Sequence, residues 1–337
     1  VQRAPGTEKY IVCNADESEP ATFKDRELML RAPWLIIEGI IIAGLAIGAT
    51  RGYVYLRHEY PEQAEALRKA IALAEKEGVA GLNVGKTGLD FPVSVYISPG
   101  GYICGEQSAL IEAMEGKRAQ PRNRPPELAT NGLFDKPTLV NNVETFAWVP
   151  GIVMHTVLDP DEKEKKKADP QYQTTAVNWY GSKGTKNRGI RFFSISGDVN
   201  KPGAYEIPIG APMRTLIDAA GGVIGGEKKL LAIATSGPSG GFLPLVLRNP
   251  KDDKLVPLLD IELDIDVYRG YRAALGAGLV VYAVGTDMAS CAANAVTFYR
   301  NESCGKCVPC RVGTQKLTEL AVRVRDGGKT PDELSPL

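Results

Sequence analysis

The sequence predicts an α/β protein in which a mainly parallel sheet comes first, a smaller β-rich domain second and a helical region last. Between residues 9 and 153, short β-prone runs alternate with longer stretches of helical periodicity. This order is typical of a parallel sheet covered by helices. Beyond residue 190 several short strands lie close together in the chain, and near the C-terminus three cysteines recur at a spacing of three residues.

Length and composition narrow the class of protein. The 337 residues suffice for two or three domains. The 40 basic and 40 acidic residues cancel, so the sequence does not predict a nucleic-acid-binding protein, which would carry a basic surface. Six cysteines without a secretory leader predict a reducing compartment, where thiols bind metals rather than form disulfides. Because the chain begins at Val1 and opens straight into a strand, we expect it to be a piece of a longer protein.

The first predicted strand, residues 9–13 (KYIVC), leads into a polar turn. Residues 14–20 (NADESEP) carry amide and carboxylate groups, and open α/β sheets bind their ligands at the carboxyl ends of their strands. A ligand-binding turn is therefore one interpretation. The other is a solvated loop whose residues cap the helix that follows.

Helices and strands alternate after this turn. We predict a helix over residues 33–49, a strand over 52–57, a helix over 61–78 and a strand over 91–97. The first of these helices is strongly apolar, but it is shorter than the roughly 20 residues that a membrane-spanning helix needs, and it contains Glu38. We therefore expect it to be a buried core helix between two strands.

A glycine-rich turn, residues 99–107 (PGGYICGEQ), connects the last of these strands to another predicted helix. Glycines allow the backbone to approach a cofactor closely, and the amino end of a helix favours a phosphate or another anion. Residues 118–126 are basic and proline-rich, which predicts an extended surface crossing. The side-chain amides of Asn141 and Asn142, suited to a polar ring edge or a phosphate, precede a helix predicted over 145–153.

The character of the chain changes in its second half. Residues 158–188 are rich in charge and glycine, which is typical of a surface excursion at a domain boundary. From residue 190 the order strand–strand–helix–strand, completed by a strand over 276–284, predicts a small β-grasp fold. We predict four segments: an α/β domain over residues 1–157, a linker over 158–189, a β-grasp domain over 190–285 and a helical domain over 286–337.

The cysteine run consists of Cys304, Cys307 and Cys310. Cysteines this close cannot easily form relaxed disulfides with one another, whereas the C-x2-C-x2-C spacing is typical of iron–sulfur clusters. Structural zinc and three unliganded thiols are the alternatives, although zinc sites usually contain two separated pairs of Cys or His. Lys306 and Arg311 would offset the negative charge of a thiolate-bound cluster. A four-iron cluster needs a fourth ligand, which must come from elsewhere or from sequence beyond this chain.

Four motifs resemble, in order and spacing, those of a known family. They are residues 14–20 (NADESEP), 100–107 (GGYICGEQ), 141–145 (NNVET) and 302–311 (ESCGKCVPCR). Together they resemble the NADH-binding flavoprotein of respiratory complex I, the 51-kDa-type subunit, which has relatives in NAD-reducing hydrogenases and NAD-dependent formate dehydrogenases. The resemblance covers nearly the whole chain. It implies a Rossmann-like FMN-binding domain, a ubiquitin-like β-grasp (SLBB) domain and a helical bundle that carries an iron–sulfur site.

The resemblance also implies roles for individual residues. Glu19 matches an acidic residue beside the nicotinamide and is the predicted catalytic residue, while Arg124 is expected to meet the pyrophosphate of NADH as a fixed cation. Cys304, Cys307 and Cys310 match three of the four cluster ligands. The residues that match flavin-site positions are Asn14, Asp16, Glu17, Tyr102, Gly105, Glu106, Asn141, Asn142 and Thr145.

The implied function is oxidation of NADH for a complex that reduces quinone, with FMN, a 4Fe-4S cluster and NAD(H) as cofactors. The implied partners are other subunits of that complex, including a thioredoxin-like 2Fe-2S subunit. Nucleic acid is not expected, and the implied location is cytoplasmic, with contact to the inner face of the membrane only through partner subunits. Two alternatives stay open: a diaphorase module of a NAD-linked hydrogenase or formate dehydrogenase, and a non-catalytic scaffold that has lost nucleotide binding.

The chain departs from the family pattern at a few positions. Gln107 stands where most relatives have a glutamate, and Glu127 stands where well-known members have an aromatic residue that stacks on adenine. Glu127 cannot stack and would repel a nucleotide phosphate. The glycine-rich flavin loop of the family is expected before Val1, and the fourth cluster cysteine is expected after Leu337.

Overall fold

The computed structural model describes residues 1–157 and 189–328. Its first layer is a four-stranded sheet in which all paired strands are parallel. Because the strands are parallel, their carboxyl ends meet at one edge of the sheet, as expected for an α/β fold that binds a ligand there. The strands are β1 (Tyr10–Ala15), β2 (Arg51–Leu56), β3 (Val93–Ile97) and β4 (Thr138–Asn142), in the order β3-β2-β1-β4.

Three of these strands are predicted by the sequence, and β4 is not. Its five residues, TLVNN, end in two polar amides and lack the apolar alternation of an isolated strand signal. Pairing with the buried strand β1 makes this segment a strand, with Tyr10 opposite Thr138. The polar turn after β1 and the amides at the end of β4 thereby come to lie side by side.

Helices cover the sheet at the predicted places, with one addition. The helices are α1 (Lys24–Arg31), α2 (Pro33–Ile47), α3 (Pro61–Lys76), α4 (Gln107–Met114) and α5 (Val143–Val157). Helix α1 is the addition. The prediction that α2 is a buried core helix is confirmed, because Ile36, Ile37 and Ile40 are almost wholly buried. Within the described ranges no single helix is long and apolar enough to cross a membrane, and α1 and α2, which pass that test only together, meet at 94°.

Small residues set how closely α2 packs against its neighbours. A Cβ atom added at Gly39 would lie inside the carbonyl group of Phe146 on α5, and one added at Gly44 would lie against the ring of Phe91. Both glycines are buried within α2, whose side chains belong to the main hydrophobic core. The close approach of α2 and α5 therefore depends on the missing side chain at Gly39.

The second sheet is mixed and contains five strands, as a β-grasp fold requires. They are β5 (Ile190–Gly197), β6 (Gly203–Pro208), β7 (Leu230–Ala234), β8 (Phe242–Pro244) and β11 (Gly278–Ala283), in the order β6-β5-β11-β7-β8. The central pair, β5 and β11, is parallel, and the outer pairs are antiparallel. Helix α6 (Met213–Ala219) contributes Met213, Leu216 and Ile217 to the core of this sheet. A two-stranded ribbon, β9 (Val246–Arg248) and β10 (Leu255–Pro257), and the short helix α7 (Ile265–Gly270) lie between β8 and β11.

Two helices, α8 (Met288–Glu302) and α9 (Val308–Arg325), complete the described chain. They pack along a seam in which Thr318 is buried and donates a hydrogen bond to the carbonyl oxygen of Val296 at 3.2 Å. Helix α9 has Pro309 in its first turn, where proline is favoured. The predicted surface excursion over residues 158–188 lies outside the described residues.

The Gly39→Ala substitution tests the packing of α2 on α5. We expect the free energy of unfolding in urea to fall by about 1–3 kcal/mol, the usual cost of overpacking a core, because the added methyl group has no space beside Phe146. The matched control is Gly313→Ala in α9, where nothing lies within 4 Å of an added Cβ. There alanine should be neutral or stabilising by up to about 1 kcal/mol, since glycine is the poorer helix former. Equal effects at both positions would contradict this account of the packing.

Candidate functional site

A cavity of about 840 Å³ lies at the carboxyl edge of the parallel sheet. Its floor comes from the turn after β1 and from the start of α5. The β-grasp domain closes it from the other side through Arg191 on β5 and through Ser236 and Ser239 in the loop after β7. Its volume is within the range of small-molecule and cofactor sites. The predicted residues that line it are Asp16, Glu17, Glu19, Tyr102, Gly105, Glu106, Asn142 and Thr145.

The other predicted cofactor residues lie outside the lining. The side-chain amide of Asn14 donates to the carbonyl oxygen of Gly105 at 2.9 Å, so Asn14 fixes the glycine turn rather than the ligand space. Asn141 directly precedes Asn142 on β4, and successive side chains of a strand point to opposite faces. Arg124 lies beside the cavity and reaches it through an ion pair with Glu106 at 3.4 Å.

The structure tests the second interpretation of the polar turn after β1, a solvated loop whose residues cap a helix, and bears it out only in part. The carboxylate of Glu17 accepts hydrogen bonds from the backbone amides of Asp25 at 2.8 Å and Arg26 at 3.1 Å, so Glu17 caps α1 as the second interpretation expects. The turn is not solvated, because Asp16 and Glu17 are both buried. Burial, with the negative charge of Asp25 next, raises the pKa of Glu17 to about 7, and burial likewise raises the pKa of Asp16.

A buried lysine that sequence reasoning missed organises the cavity floor. The ammonium group of Lys24 lies 2.6 Å from Asp25, 2.8 Å from Glu144 and 2.9 Å from the side-chain oxygen of Asn142. The amide of Asn142 in turn donates to Asp25 at 2.7 Å. Burial opposes the charge on Lys24, but the two carboxylates overcome it and raise its pKa above the usual value. A lysine directly followed by an aspartate was the only signal in the sequence, and it is a common one on surfaces.

The predicted anion site at the amino end of α4 is corrected by the structure. The carboxylate of Glu106, the residue that caps α4, accepts from the backbone amides of Ser108 at 3.0 Å and Ala109 at 2.8 Å. The free amides that would bind a phosphate are thereby occupied from within the chain. Gly105 packs closely against the turn after β1, because an added Cβ would lie 3.1 Å from the carbonyl oxygen of Asp16; its approach to a cofactor stays a prediction.

Glu19 and Tyr102 connect the cavity to the rest of the molecule. The hydroxyl of Tyr102 donates to Glu19 at 2.5 Å, and the other oxygen of Glu19 accepts from the backbone amide of Ser239 in the β-grasp domain at 3.2 Å. Burial, followed by the neighbouring carboxylate, raises the pKa of Tyr102. The ring of Tyr102 makes edge contacts with Phe298 and Tyr299 of α8, at centroid distances of 5.2 and 6.2 Å. One side chain thus contacts all three predicted domains, directly or through Glu19.

The cysteine loop, defined as residues 303–310, follows α8 and includes the first turn of α9. Cys307 caps α9, Cys310 lies in its first turn within 3.3 Å of the hydroxyl of Ser303, and Cys307 is exposed. The amino end of a helix favours negative charge, which suits thiolates. Among the described residues no three His, Cys, Asp or Glu side chains could hold one metal ion. An iron–sulfur cluster does not require such convergence, because each sulfur binds a different iron.

Lys306 and Arg311, which are predicted to offset the negative charge of a bound cluster, both donate to neutral oxygens and so keep their positive charges beside the cysteines. The guanidinium group of Arg311 donates to the carbonyl oxygen of Gly305 at 2.7 Å. The ammonium group of Lys306 donates to the carbonyl oxygen of Pro121 and to the side-chain oxygen of Asn123, both in the α/β domain. These two side chains therefore shape and anchor the loop.

The donor sets fit the cofactors that the resemblance implies. The cavity has room for a flavin mononucleotide, and the carboxylate of Asp16 can accept from the hydroxyl groups of such a molecule. Asn142 lines the same cavity, but both atoms of its side-chain amide are bonded within the chain, to Lys24, Glu144, Asp25 and Asn14. Gly105 adds no side chain to the cavity wall. A Cβ atom at this position would press against the carbonyl oxygen of Asp16, directly after β1. Three cysteine thiols on one loop match an iron–sulfur cluster in chemistry and in spacing.

Comparison with known families agrees with this geometry in each domain. A family profile described as the Nuo51 FMN-binding domain matches residues 1–151, and an SLBB domain profile matches residues 192–243. A profile described as the NADH-ubiquinone oxidoreductase-F iron-sulfur binding region matches residues 290–337. The three profiles thus cover the sheet and its helices, part of the β-grasp domain and the cysteine loop.

Whole-chain relatives give the same result. The chain is 38% identical to the NADH-quinone oxidoreductase F 2 protein of Rhizobium meliloti over 98% of its own length and 72% of that protein. It is 40% identical to NADH dehydrogenase [ubiquinone] flavoprotein 1 of Dictyostelium discoideum, of which it spans 63%, and 98% of the chain is aligned. A solved NAD⁺-reducing NiFe hydrogenase matches with a TM-score of 0.79 and 32% identity, over 100% of this chain and 51% of the hydrogenase chain.

The Lys24→Met substitution tests the buried ion cluster. We expect the free energy of unfolding in urea to fall by about 3–5 kcal/mol, because Asp25 and Glu144 would stay buried without their cation. The double variant Lys24→Met with Glu144→Gln should recover part of this loss, since one uncompensated charge is removed. The matched control is Lys69→Met, an exposed lysine paired with Glu65, where a change within about 1 kcal/mol is expected. If Lys24→Met also changed the free energy of unfolding by no more than about 1 kcal/mol, the ion cluster would not stabilise the cavity floor.

Proposed function

Because this chain belongs to the family of the NADH-binding flavoprotein of NADH-quinone oxidoreductases, we propose that it oxidises NADH and passes the electrons to partner subunits. The family supplies an FMN-binding domain and a 4Fe-4S region in one chain. The chain spans 72% of one such relative and 63% of another, so the activity of the whole protein is part of this proposal.

The observation that carries the proposal is the contact, through Tyr102, between the cavity and the end of α8, which leads directly into the cysteine loop. Its side chain lines the cavity and touches α8, and its backbone amide donates to the carboxylate of Glu302 at 2.8 Å. Glu302 is the last residue of α8 and lies two positions before Cys304. This contact joins the wall of the cavity to the segment that leads into the cysteine loop, which supports electron transfer between a flavin bound in the cavity and a cluster bound by the loop.

The residues of the chain have distinct proposed roles around these cofactors. Bound in the cavity, FMN would supply the conversion of a two-electron donor into single-electron transfers. Asn142, whose amide is held by Lys24 and Asp25, would form part of the wall against which the flavin packs, and Asp16 would accept from a hydroxyl group. Glu19 would orient the carboxamide of the nicotinamide while it keeps the hydroxyl proton of Tyr102 in place. Cys304, Cys307 and Cys310 would bind three corners of the cluster, and the fourth ligand lies outside this proposal.

The dinucleotide is proposed to extend from Glu19 towards Arg124. The guanidinium group of Arg124 lies 3.4 Å from Glu106 on one side and 3.4 Å from Glu127 on the other. It is partly exposed and thus accessible to a pyrophosphate, which would compete with both carboxylates. Glu127, exposed at 60% of its side chain, restrains Arg124 and offers no surface on which an adenine ring can stack.

The identity of the complex is the second proposal. Relatives include both NADH-quinone oxidoreductase subunits and an NADP-reducing hydrogenase subunit of Solidesulfovibrio fructosivorans, at 37% identity. We infer partner subunits of the first kind, including a thioredoxin-like 2Fe-2S subunit, with membrane contact only through them; a diaphorase module of a hydrogenase or formate dehydrogenase is the alternative. The division of the chain into domains at residues 157, 189 and 285 is part of this proposal. So are the roles given to the individual site residues. A flavin absorbance that fails to bleach on anaerobic addition of NADH would favour the non-catalytic scaffold.

The Cys307→Ser substitution tests the cluster assignment. In the full-length protein we expect loss of the iron–sulfur absorbance and of about one cluster's iron, because an exposed ligand at the cap of α9 is replaced by a poor one. FMN content should be retained, since the cavity does not include this residue. The control is Cys291→Ser in α8, which changes a partly exposed thiol outside the motif. This variant should have the same iron content as the unchanged protein. Full iron content and an unchanged spectrum in Cys307→Ser would refute the assignment.

Substitutions of Glu127 test the path of the dinucleotide. Glu127→Phe should lower the Michaelis constant for NADH by roughly ten- to a hundredfold if the new ring stacks on adenine with the roughly 1–3 kcal/mol found for base–aromatic stacks. Glu127→Gln removes only the ion pair with Arg124 and should give the smaller part of this change, since exposed ion pairs contribute about 0–1 kcal/mol. Steady-state kinetics of both variants separate the two effects. Unchanged or weaker NADH affinity in Glu127→Phe would place the adenine elsewhere.

A further inference from the structure

The segment Arg118–Arg124, termed here the strap, crosses the surface between α4 and β4 and touches the cysteine loop. The guanidinium group of Arg118 donates to the carbonyl oxygen of Cys304 at 2.7 Å. From the opposite side, the ammonium group of Lys306 donates to the carbonyl oxygen of Pro121 and, at 2.9 Å, to the side-chain oxygen of Asn123. Two cations thus join segments that lie more than 180 residues apart in the chain.

The partners of Lys306 indicate what these bonds do. In the part of the chain that the structure describes, Lys306 has no carboxylate within ion-pair distance, and its recorded acceptors are neutral oxygens of the strap. Hydrogen bonds from an ionised donor are stronger than those between neutral groups and fix the position of both partners. Lys306 therefore holds the strap at two points, Pro121 and Asn123.

The far end of the strap reaches the proposed dinucleotide site. Arg124 directly follows Asn123, and its guanidinium group lies between Glu106 of the cavity and Glu127. Because Lys306 fixes the residue before Arg124, it restricts where the guanidinium group can go. The other anchored residue of the strap is Arg122, which is paired with Glu112 and with Glu115 at 2.9 Å.

We propose that Lys306 is a positioning residue for the dinucleotide: it anchors the strap so that Arg124 is presented to the pyrophosphate, and it thereby couples nucleotide binding to the placement of the cysteine loop. This inference rests on the proposed function, since it assumes that a dinucleotide binds beside Arg124. Lys306 would thus affect the binding of a dinucleotide that it does not itself contact.

The test measures the affinity of the full-length protein, loaded with its cofactors, for ADP-ribose. This probe carries the pyrophosphate without a nicotinamide, so no redox step contributes to the result. For Lys306→Met we expect the dissociation constant to rise roughly two- to thirtyfold, the range of energetic coupling through packed networks. Lys306→Arg, which keeps a charged donor, should restore most of the affinity. Hydrogen–deuterium exchange of residues 118–124 without ligand should become faster in Lys306→Met and not in Lys306→Arg.

Asn123→Ala keeps the test informative if Lys306→Met disturbs the cluster. It removes one acceptor of Lys306 and leaves the cysteine loop intact, so it should weaken ADP-ribose binding in the same direction. Both substitutions break the same interaction. The double variant should therefore bind ADP-ribose with about the same affinity as the single variant that binds it less tightly. The matched control is Lys316→Met in α9, which removes an exposed lysine paired with Glu319, away from the strap, and should leave binding unchanged.

The outcomes separate this inference from the proposed function. If the unchanged protein binds ADP-ribose and both Lys306→Met and Asn123→Ala bind it equally well, the positioning role is overturned and the proposed function stands. If Lys316→Met weakens binding as much as Lys306→Met, general charge explains the effect and the positioning role is again overturned. If the unchanged protein does not bind ADP-ribose, the proposed function fails, and the inference fails with it.

Discussion

The buried ammonium group of Lys24 holds the candidate site together. It joins α1, the end of β4 and the start of α5 through Asp25, Asn142 and Glu144. Glu144 then accepts from the backbone amide of Phe192, a contact with the β-grasp domain. Burying one cation and two anions is costly, and such a cluster is favourable only when nearly every polar atom has a partner. Here that condition is met by the amide of Asn142, which bonds to both Lys24 and Asp25. The cluster therefore sets one conformation of the cavity floor.

Carboxylates around the cavity serve the fold and the site at the same time. Glu17 caps α1 and Glu106 caps α4, so each satisfies backbone amides that would otherwise lack partners at a helix end. The same side chains line the cavity and present further oxygen lone pairs to it. A carboxylate held by two backbone amides cannot rotate freely. The helix caps thus preorganise the wall that a ligand would meet, and substituting either residue would disturb the helix together with the site.

The relation between the cavity and the cysteine loop comes from contacts between domains. Tyr102 touches α8 through its ring and bonds to Glu302 through its backbone, while the strap contacts the loop through Arg118 and Lys306. The β-grasp domain contributes the amide of Ser239 to Glu19. None of these pairs is close in sequence. Their common consequence is that the loop, although partly exposed, is attached to the α/β domain on two sides, through the strap and through α8.

Local patterns along the chain are enough to predict most of the elements, the β-grasp arrangement and the family, because these depend on periodicity and on short motifs with a fixed spacing. The cysteine spacing and the NADESEP and GGYICGEQ turns need no tertiary information. Folding alone decides that TLVNN is a strand, that Lys24 is buried, and that Glu106 fills the amino end of α4. It also decides that Lys306 bonds to Pro121 and Asn123. In most of these cases the partner that determines the role of the side chain or strand is distant in the chain. A hydrogen bond or ion pair between residues over a hundred positions apart leaves no pattern in either local segment.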